Sequence, residues 1–156
     1  MYVNLKKRDI IMKKMLLSAL AVAALAITPT MAWEVAITAQ QLPQEAQTFL
    51  KKNFANSDVI VATHDKDITD NDYTVILNDG TKIEFNASGK WESIKNKRAN
   101  VPANVVPTQI ANFVKAHYGD AGIVQIENRR FGYEVELSND LELKFDKTGR
   151  CVGIDD

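Results

Sequence analysis

The sequence contains only one cysteine, Cys151, so the chain cannot form an internal disulfide. It also lacks an apolar run that could span a bilayer, since the run from Met15 to Ile27 holds thirteen residues and a spanning helix needs about 20. Prolines are few, at four, as are histidines, at two. A chain of this length can bury a normal core without covalent staples. These shortages predict a fold that is held together by side-chain packing.

The first 32 residues have the three parts of a secretory signal peptide. The basic pair Lys13-Lys14 precedes the apolar run, and Thr30-Met31-Ala32 places small residues at positions −3 and −1 of a cleavage site. We therefore expect a mature protein that begins at Trp33 and lies in the periplasm. The alternative is a retained membrane anchor, which the short apolar run disfavours.

The start of the chain also affects its charge. Met12 is a more natural start of translation than Met1, so one alternative is that residues 1–11 are not part of the translated protein. Residues 1–32 contain five of the 19 Lys and Arg residues and one of the 20 Asp and Glu residues. The remaining 124 residues therefore carry a net charge of about −5. An acidic chain is a poor match for nucleic acid, so none is predicted as a partner.

The rest of the chain contains an internal sequence duplication. The segment Leu42–Lys51 resembles Val106–Lys115, at an offset of sixty-four residues. After a four-residue deletion the similarity continues at an offset of sixty, where Tyr73 and Phe85 match Tyr133 and Phe145. A duplication of this length sets the architecture. The predicted parts are an N-terminal segment, a first repeat, a linker and a second repeat, at residues 33–41, 42–95, 96–104 and 105–156.

Each repeat is predicted to form one helix followed by four antiparallel strands, which is an α+β fold. A proline opens each helix, where its missing N–H would have no partner. Asn78-Asp79-Gly80 is typical of a tight hairpin. In the strands, apolar residues such as Val75 and Leu77 alternate with polar ones, so one sheet face packs on the helix and the other is wet. The predicted buried aromatic residues of the two interfaces are Phe49, Phe85, Phe113 and Phe145.

The pattern of helix, four strands, Asp-Gly hairpin and closing Gly-x-Trp-x-x-Ile motif, in tandem, resembles the PepSY-like proteins. The motif stands here as Gly89-Lys90-Trp91-Glu92-Ser93-Ile94, whereas the second copy has Cys151 in place of the tryptophan. The PepSY-like proteins are small secreted bacterial proteins with the fold of beta-lactamase inhibitor protein. The resemblance covers residues 42–154. It implies one curved eight-stranded sheet from two repeats, with helices on the convex side and an open concave face, and it implies no settled biochemical function.

Two features could bind a metal ion. The acidic loop Asp65–Asp72 has oxygen ligands at calcium-like spacing, but an EF-hand loop that began at its first residue would need Gly and Glu where Asp70 and Ile76 stand. A solvated turn is therefore expected, with a calcium site as the alternative. His64 and His117 have no second ligand at metal spacing. No metal site and no cofactor are predicted.

Enzymatic residue patterns are also lacking. The serines do not lie in a nucleophile elbow, and no glycine-rich phosphate loop occurs. Cys151 has no partner histidine and only Arg150 as a basic neighbour, so an inert thiol is expected rather than a reactive one. Without a nucleophile, base or cofactor constellation, the protein is predicted not to be an enzyme.

Strand parity predicts which residues lie on the uncovered sheet face. Trp91 is the predicted anchor of a binding surface, since an exposed tryptophan is typical of one; the alternative is that it covers the sheet beside Trp33. In the second repeat carboxylates outnumber lysine, which indicates a basic partner or only solubility. The candidate binding residues are Trp91, Ile76, Lys82, Glu84, Glu134, Glu136 and Glu142, and their neighbours by parity are Thr74, Glu127 and Lys144.

Three classes of function remain. The favoured one is a non-enzymatic periplasmic binding or inhibitor-like module that holds a protein or peptide partner on the open concave sheet face. The alternative is a periplasmic protein that binds a small ligand or calcium. An enzyme is the third class and the least favoured, because the sequence offers no catalytic constellation.

Overall fold

The structure is a computed structural model that describes residues 34–66, 71–119 and 121–155. These residues form two helices, α1 (Gln44–Asn53) and α2 (Thr108–Tyr118), and nine strands. The strands are β1 (Glu34–Ala36), β2 (Val59–Asp65), β3 (Tyr73–Leu77), β4 (Lys82–Phe85), β5 (Trp91–Lys95), β6 (Ile123–Arg129), β7 (Gly132–Leu137), β8 (Glu142–Asp146) and β9 (Cys151–Asp155). Neither of the described helices has the length and apolar character of a membrane span. The predicted signal peptide and Trp33 lie outside the described residues.

The described strands make one antiparallel sheet in the order β1 to β9. The predicted tandem of two four-stranded units is therefore wrong. Strand β5 pairs directly with β6 from Ser93↔Glu127 to Lys95↔Gln125, so the sheet continues without a break. The combination of helices with an antiparallel sheet is compatible with the predicted class.

The number of strands also differs from the predicted eight. The additional strand is β1, which pairs with β2 along Thr63–Asp65. It has three residues, Glu34–Ala36, and all of them are exposed. A short strand without a buried side has no apolar alternation to reveal it in the sequence.

Both helices pack on the same face of the sheet. Phe49 of α1 meets the ring of Phe85 edge-on at 5.8 Å, and Phe113 of α2 meets Phe145 in the same way at 5.4 Å. Phe85 and Phe145 are buried as predicted. Phe49 and Phe113 are only half-buried, which corrects that part of the prediction. Each of these two rings projects from a helix surface, so one side covers the sheet and the other meets solvent.

A row of aliphatic side chains joins the two halves of the core. Cross-strand pairing links Val75, Ile83, Ile94, Ile126, Val135 and Leu143, and all six are fully buried. Each such side chain contributes about 1.5–3 kcal/mol of hydrophobic stabilisation. The hydrophobic core is therefore continuous across the middle of the sheet.

Two hairpin turns are closed by a side-chain oxygen and a glycine. In the β4–β5 turn, Oδ1 of Asn86 accepts the N–H of Lys90 at 3.1 Å, and Gly89 follows with φ +84°. In the β8–β9 turn, Oδ1 of Asp146 accepts from the hydroxyl and N–H of Thr148 and the N–H of Arg150. The Thr148 hydroxyl and the Arg150 N–H lower the pKa of Asp146 to about 2. The carboxylate is therefore fully ionised at neutral pH and its turn remains closed.

Candidate functional site

Two rows of side chains cross the sheet on the side opposite the helices, and we call this surface the open face. The first row runs from β2 to β9 through Thr63, Thr74, Glu84, Ser93, Glu127, Glu134, Lys144 and Gly153. The second runs through Val61, Ile76, Lys82, Lys95, Gln125, Glu136, Glu142 and Asp155. Side chains directly opposite one another lie on the same sheet face. Six of the seven predicted candidate residues are therefore brought together here.

Trp91 is the exception, and its predicted position on the open face is wrong. Phe85 pairs with Trp91 while Glu84 pairs with Ser93, so Glu92 is the extra residue of a β-bulge. The bulge turns Trp91 to the helix side, where its ring centroid lies 6.3 Å from that of Phe49. Trp91 is half-buried there and forms part of a groove beside α1.

The sequence did contain a signal of this bulge. Trp91 and Ile94 both pack on the core, yet they are three residues apart. In a regular strand, side chains on the same face belong to residues whose positions differ by two, four or another even number. The odd spacing therefore requires one extra residue, and Glu92 supplies it.

An apolar area lies at the β2–β3 end of the open face, and the sequence reasoning predicted only one of its members, Ile76. Val61, which is 41% exposed, lies opposite Ile76, and Ile60 is the extra residue of a second bulge and is 61% exposed. The signal was the unbroken apolar run Val59–Ala62 in a strand that has one wet face. A solvent-exposed apolar cluster on a polar face is typical of a contact surface.

The β6–β9 half of the open face is acidic, and strands β6 to β8 form a shallow pocket of about 440 Å³ there. Arg129, at the end of β6, lines it, with Nε 2.9 Å from Oε2 of Glu134 and Nη2 in contact with Glu127. Burial raises the pKa of Glu127, although the charge of Arg129 acts against that rise. The hydrogen bond to Glu134 raises the pKa of Arg129 further, so this cation is permanent.

The middle of the open face is held by an ion-pair cluster. Glu136 receives Nζ of Lys97 at 3.1 Å and Nζ of Lys95 at 3.4 Å. Burial raises the pKa of Glu136, but hydrogen bonds from both lysines outweigh it and lower the pKa overall. Lys82 pairs with Glu84 at 2.6 Å. Partly exposed ion pairs like these contribute about 0–1 kcal/mol each to the stability of the fold. Their main effect is therefore on the distribution of charge over the open face.

The two histidines and the cysteine contact neighbouring parts of the fold. The ring of His64 stacks on Tyr73 at 4.2 Å, with Nε2 2.6 Å from Oδ1 of Asn71. Nδ1 of His117 lies 2.9 Å from the carbonyl oxygen of Phe113. Cys151 is half-buried. Each imidazole is thus engaged with a neighbour on its own strand pair or helix.

The described residues offer no cluster of metal ligands. Within those ranges, no three His, Cys, Asp or Glu side chains converge as a metal site would require. The N–H of Asp65 donates to the carbonyl oxygen of Asp72 at 2.8 Å, which brings the two ends of the acidic loop together. Residues 67–70 of that loop lie outside the described residues.

Comparisons with known proteins converge on one family. A family model described as "Putative beta-lactamase-inhibitor-like, PepSY-like" matches residues 71–152. A solved structure from Bacteroides thetaiotaomicron, described as a "putative calcium-regulated periplasmic protein", is 38% identical with a TM-score of 0.75, over 79% of this chain and 97% of that chain. Comparison with curated proteins gave no match.

Two further similar structures come from Bacteroides vulgatus ATCC 8482. One, described as a "putative periplasmic protein" of the DUF2874 family, is 40% identical with a TM-score of 0.72, over 79% of this chain and 97% of that chain. The other, a "putative periplasmic protein of unknown function", is 34% identical with a TM-score of 0.73, over 79% of this chain and 99% of that chain. The descriptions of these relatives name no enzymatic activity.

Proposed function

This chain belongs to the PepSY-like family, and on that premise we propose that it is a non-enzymatic periplasmic binding module that holds a protein or peptide partner on its open face. The periplasmic location is supported by the descriptions of all three similar structures. The signal-peptide pattern in residues 1–32 supports export of this chain in the same way. Cleavage between Ala32 and Trp33 is part of the proposal.

The observation that carries the proposal is the pairing of exposed Val61 with half-buried Ile76 on the open face. Outward-facing aliphatic side chains on a sheet leave apolar area in water, which a partner could bury. Lys82 lies opposite Ile76 and pairs with Glu84, so charged groups border the apolar pair as they do in the polar rim of a protein interface. The helices cover the opposite face, so an extended partner could reach the rows directly. A binding role for Trp91 is not part of this proposal, because its ring packs against α1.

We expect Val61→Asp to abolish capture of the partner from a periplasmic extract, because a carboxylate at the centre of the apolar area opposes its burial. Bait proteins would be incubated with the extract, captured proteins identified by mass spectrometry, and the purified partner's Kd measured. We expect at least a roughly tenfold weaker Kd, equivalent to about 1.4 kcal/mol.

Phe131→Asp is the matched control, since Phe131 is 79% exposed but lies at the β6–β7 turn rather than on the two rows. Its capture should equal that of the wild type, and circular dichroism should show both variants folded. Equal capture by Val61→Asp and the wild type would refute the role of the open face.

A second candidate function, calcium binding, is favoured by the description of the Bacteroides thetaiotaomicron protein as calcium-regulated. In this chain the acidic loop Asp65–Asp72 would supply the oxygen ligands. A ligand that binds only the folded state adds about 2.7 kcal/mol of stability at 100 times its Kd. Calcium should then raise the melting temperature of the wild type, and magnesium should not.

The paired variant Asp65→Asn/Asp72→Asn should lose the calcium-dependent rise in melting temperature. Asp79→Asn, in the β3–β4 turn, is the control and should retain it. A rise of equal size with magnesium, or in the paired variant, would exclude calcium binding by the loop.

A further inference from the structure

A trough crosses the open face from β2 to β5. Its volume is about 450 Å³, and its character changes along its length. Ile60 of β2 and Ile76 of β3 line one side, and the rest of the trough is lined by four cations, Lys82 of β4, Lys95 of β5, and Lys97 and Arg98 from the segment after β5. The trough is therefore apolar at one end and cationic at the other, a pattern that the acidic β6–β9 half does not share.

The cations of the trough outnumber the carboxylates that contact them. Glu84 pairs with Lys82, and Glu136 is shared by Lys95 and Lys97. Within the described residues, the guanidinium of Arg98 makes no ion pair. Four cations thus meet two carboxylates, which leaves a local positive excess on a chain that is acidic overall.

Two other carboxylates occur near the rim, and each has a hydrogen-bond partner there. Oδ1 of Asp79 accepts the N–H of Thr81 at 2.9 Å, within its own turn. Oδ2 of Asp58 accepts the side-chain amide of Asn78 at 3.4 Å. Neither carboxylate lines the trough, so the surface that a ligand would meet remains cationic.

The length of the trough sets the length of the ligand segment. Three inter-strand spacings of about 4.8 Å separate β2 from β5, which gives about 14 Å. An extended peptide advances about 3.3 Å per residue, so about four residues would cover this distance. A matching peptide therefore carries an apolar side chain and a carboxylate about four residues apart.

We propose that this trough is a subsite for an extended acidic peptide, with an apolar side chain on Ile60 and Ile76 and carboxylates against Lys97 and Arg98. The inference rests on the proposed function of the open face and names the chemistry of its ligand. Guanidinium–carboxylate hydrogen bonds are among the strong ones, so Arg98 is the main determinant. The acidic half of the face repels the same peptide, which fixes its position and direction.

The test uses fluorescein-labelled peptides and fluorescence anisotropy with the purified mature chain. The probe is Leu-Val-Ser-Glu-Glu, and the matched controls are Leu-Val-Ser-Gln-Gln, Leu-Val-Ser-Lys-Lys and Ser-Ser-Ser-Glu-Glu. We expect the probe to bind and each control to bind about tenfold more weakly or not at all, because each control lacks one of the two complementary features. Added salt should weaken the binding of the probe, since its ionic contacts are exposed.

Arg98→Gln and Ile76→Ser should each weaken binding of the probe about tenfold. Lys90→Gln is the control, since Lys90 is exposed in the β4–β5 turn and lies outside the trough. Arg98 is exposed, so its replacement should leave the melting temperature unchanged. If Ile76→Ser lowers the melting temperature, Ile60→Ser tests the apolar end instead, since Ile60 lines the trough and is exposed.

The possible outcomes separate this subsite from the broader function. Tighter binding of the lysine peptide, or capture of a partner that Val61→Asp abolishes and Arg98→Gln does not affect, would overturn the subsite and leave the open-face function standing. Peptide and partner binding that no open-face variant changes would overturn both. A dimer of the wild type that Arg98→Gln makes monomeric, or laurate binding without peptide binding, would assign the trough to another occupant and overturn the proposal.

Discussion

Replacement of Phe85 by alanine should lower the free energy of unfolding by about 4 kcal/mol, the range found for large-to-small changes in a core. Phe85 lies in β4, is fully buried and receives the edge of the Phe49 ring at 5.8 Å. Removal of its ring leaves a cavity beneath α1 that the surrounding strands cannot close without losing their pairing. Urea unfolding followed by circular dichroism measures the change.

The matched control is Phe131→Ala. The Phe131 ring is 79% exposed, so its loss should change the free energy of unfolding by less than about 0.5 kcal/mol. The slope of the urea transition should be the same for both variants and the wild type, so that the midpoint alone reports stability. A loss below about 1 kcal/mol for Phe85→Ala would show that the ring is not a core residue.

Gly89→Ala should destabilise the protein by about 3 kcal/mol. Gly89 has a φ of +84°, and a left-handed conformation costs other residues about 1–2 kcal/mol. An added Cβ would also lie 2.8 Å from Cβ of Pro43 and 2.9 Å from the backbone nitrogen of Ala46, at the start of α1. The helix would have to move away from the β4–β5 turn, and overpacking of this kind costs about 1–3 kcal/mol more.

Gly80→Ala separates the two costs, because Gly80 has a similar φ of +86° but its nearest neighbour to an added Cβ is the Arg98 side chain at 3.8 Å. We expect this control to lose about 1–2 kcal/mol, the conformational cost alone. Thermal and urea unfolding of the two variants measure the difference. Equal losses would show that α1 adjusts to the extra methyl group and that close contact at Gly89 is not required.

The candidate residues show where strand parity succeeds. Ile76, Lys82 and Glu84 were assigned to the wet face by alternation with buried neighbours, and the structure places them there. The same holds for Glu134, Glu136 and Glu142. Alternation is reliable in these strands because β3 pairs with β4, and β7 with β8, without an irregularity.

Parity fails where a strand contains an extra residue. One inserted residue transfers every later side chain to the other face, and this is why Trp91 lies under α1 instead of on the open face. The bulge at Ile60 has the same effect in β2, and it exposes an apolar side chain that the sequence would place in a core. A bulge is a property of two paired strands, so a single strand's sequence shows it only as an irregular spacing.

The sequence by itself determined the helices, most of the strands, the hairpin turns and the family, because each depends on local periodicity, turn residues or a short motif. The tertiary structure alone decided that β5 joins β6 in a single sheet and that Glu34–Ala36 adds a ninth strand to the described part. It also decided that Arg98 faces the same trough as Ile76. These features depend on pairing between distant segments, whose register is set by the packing of the whole sheet on its two helices and not by any one segment's pattern.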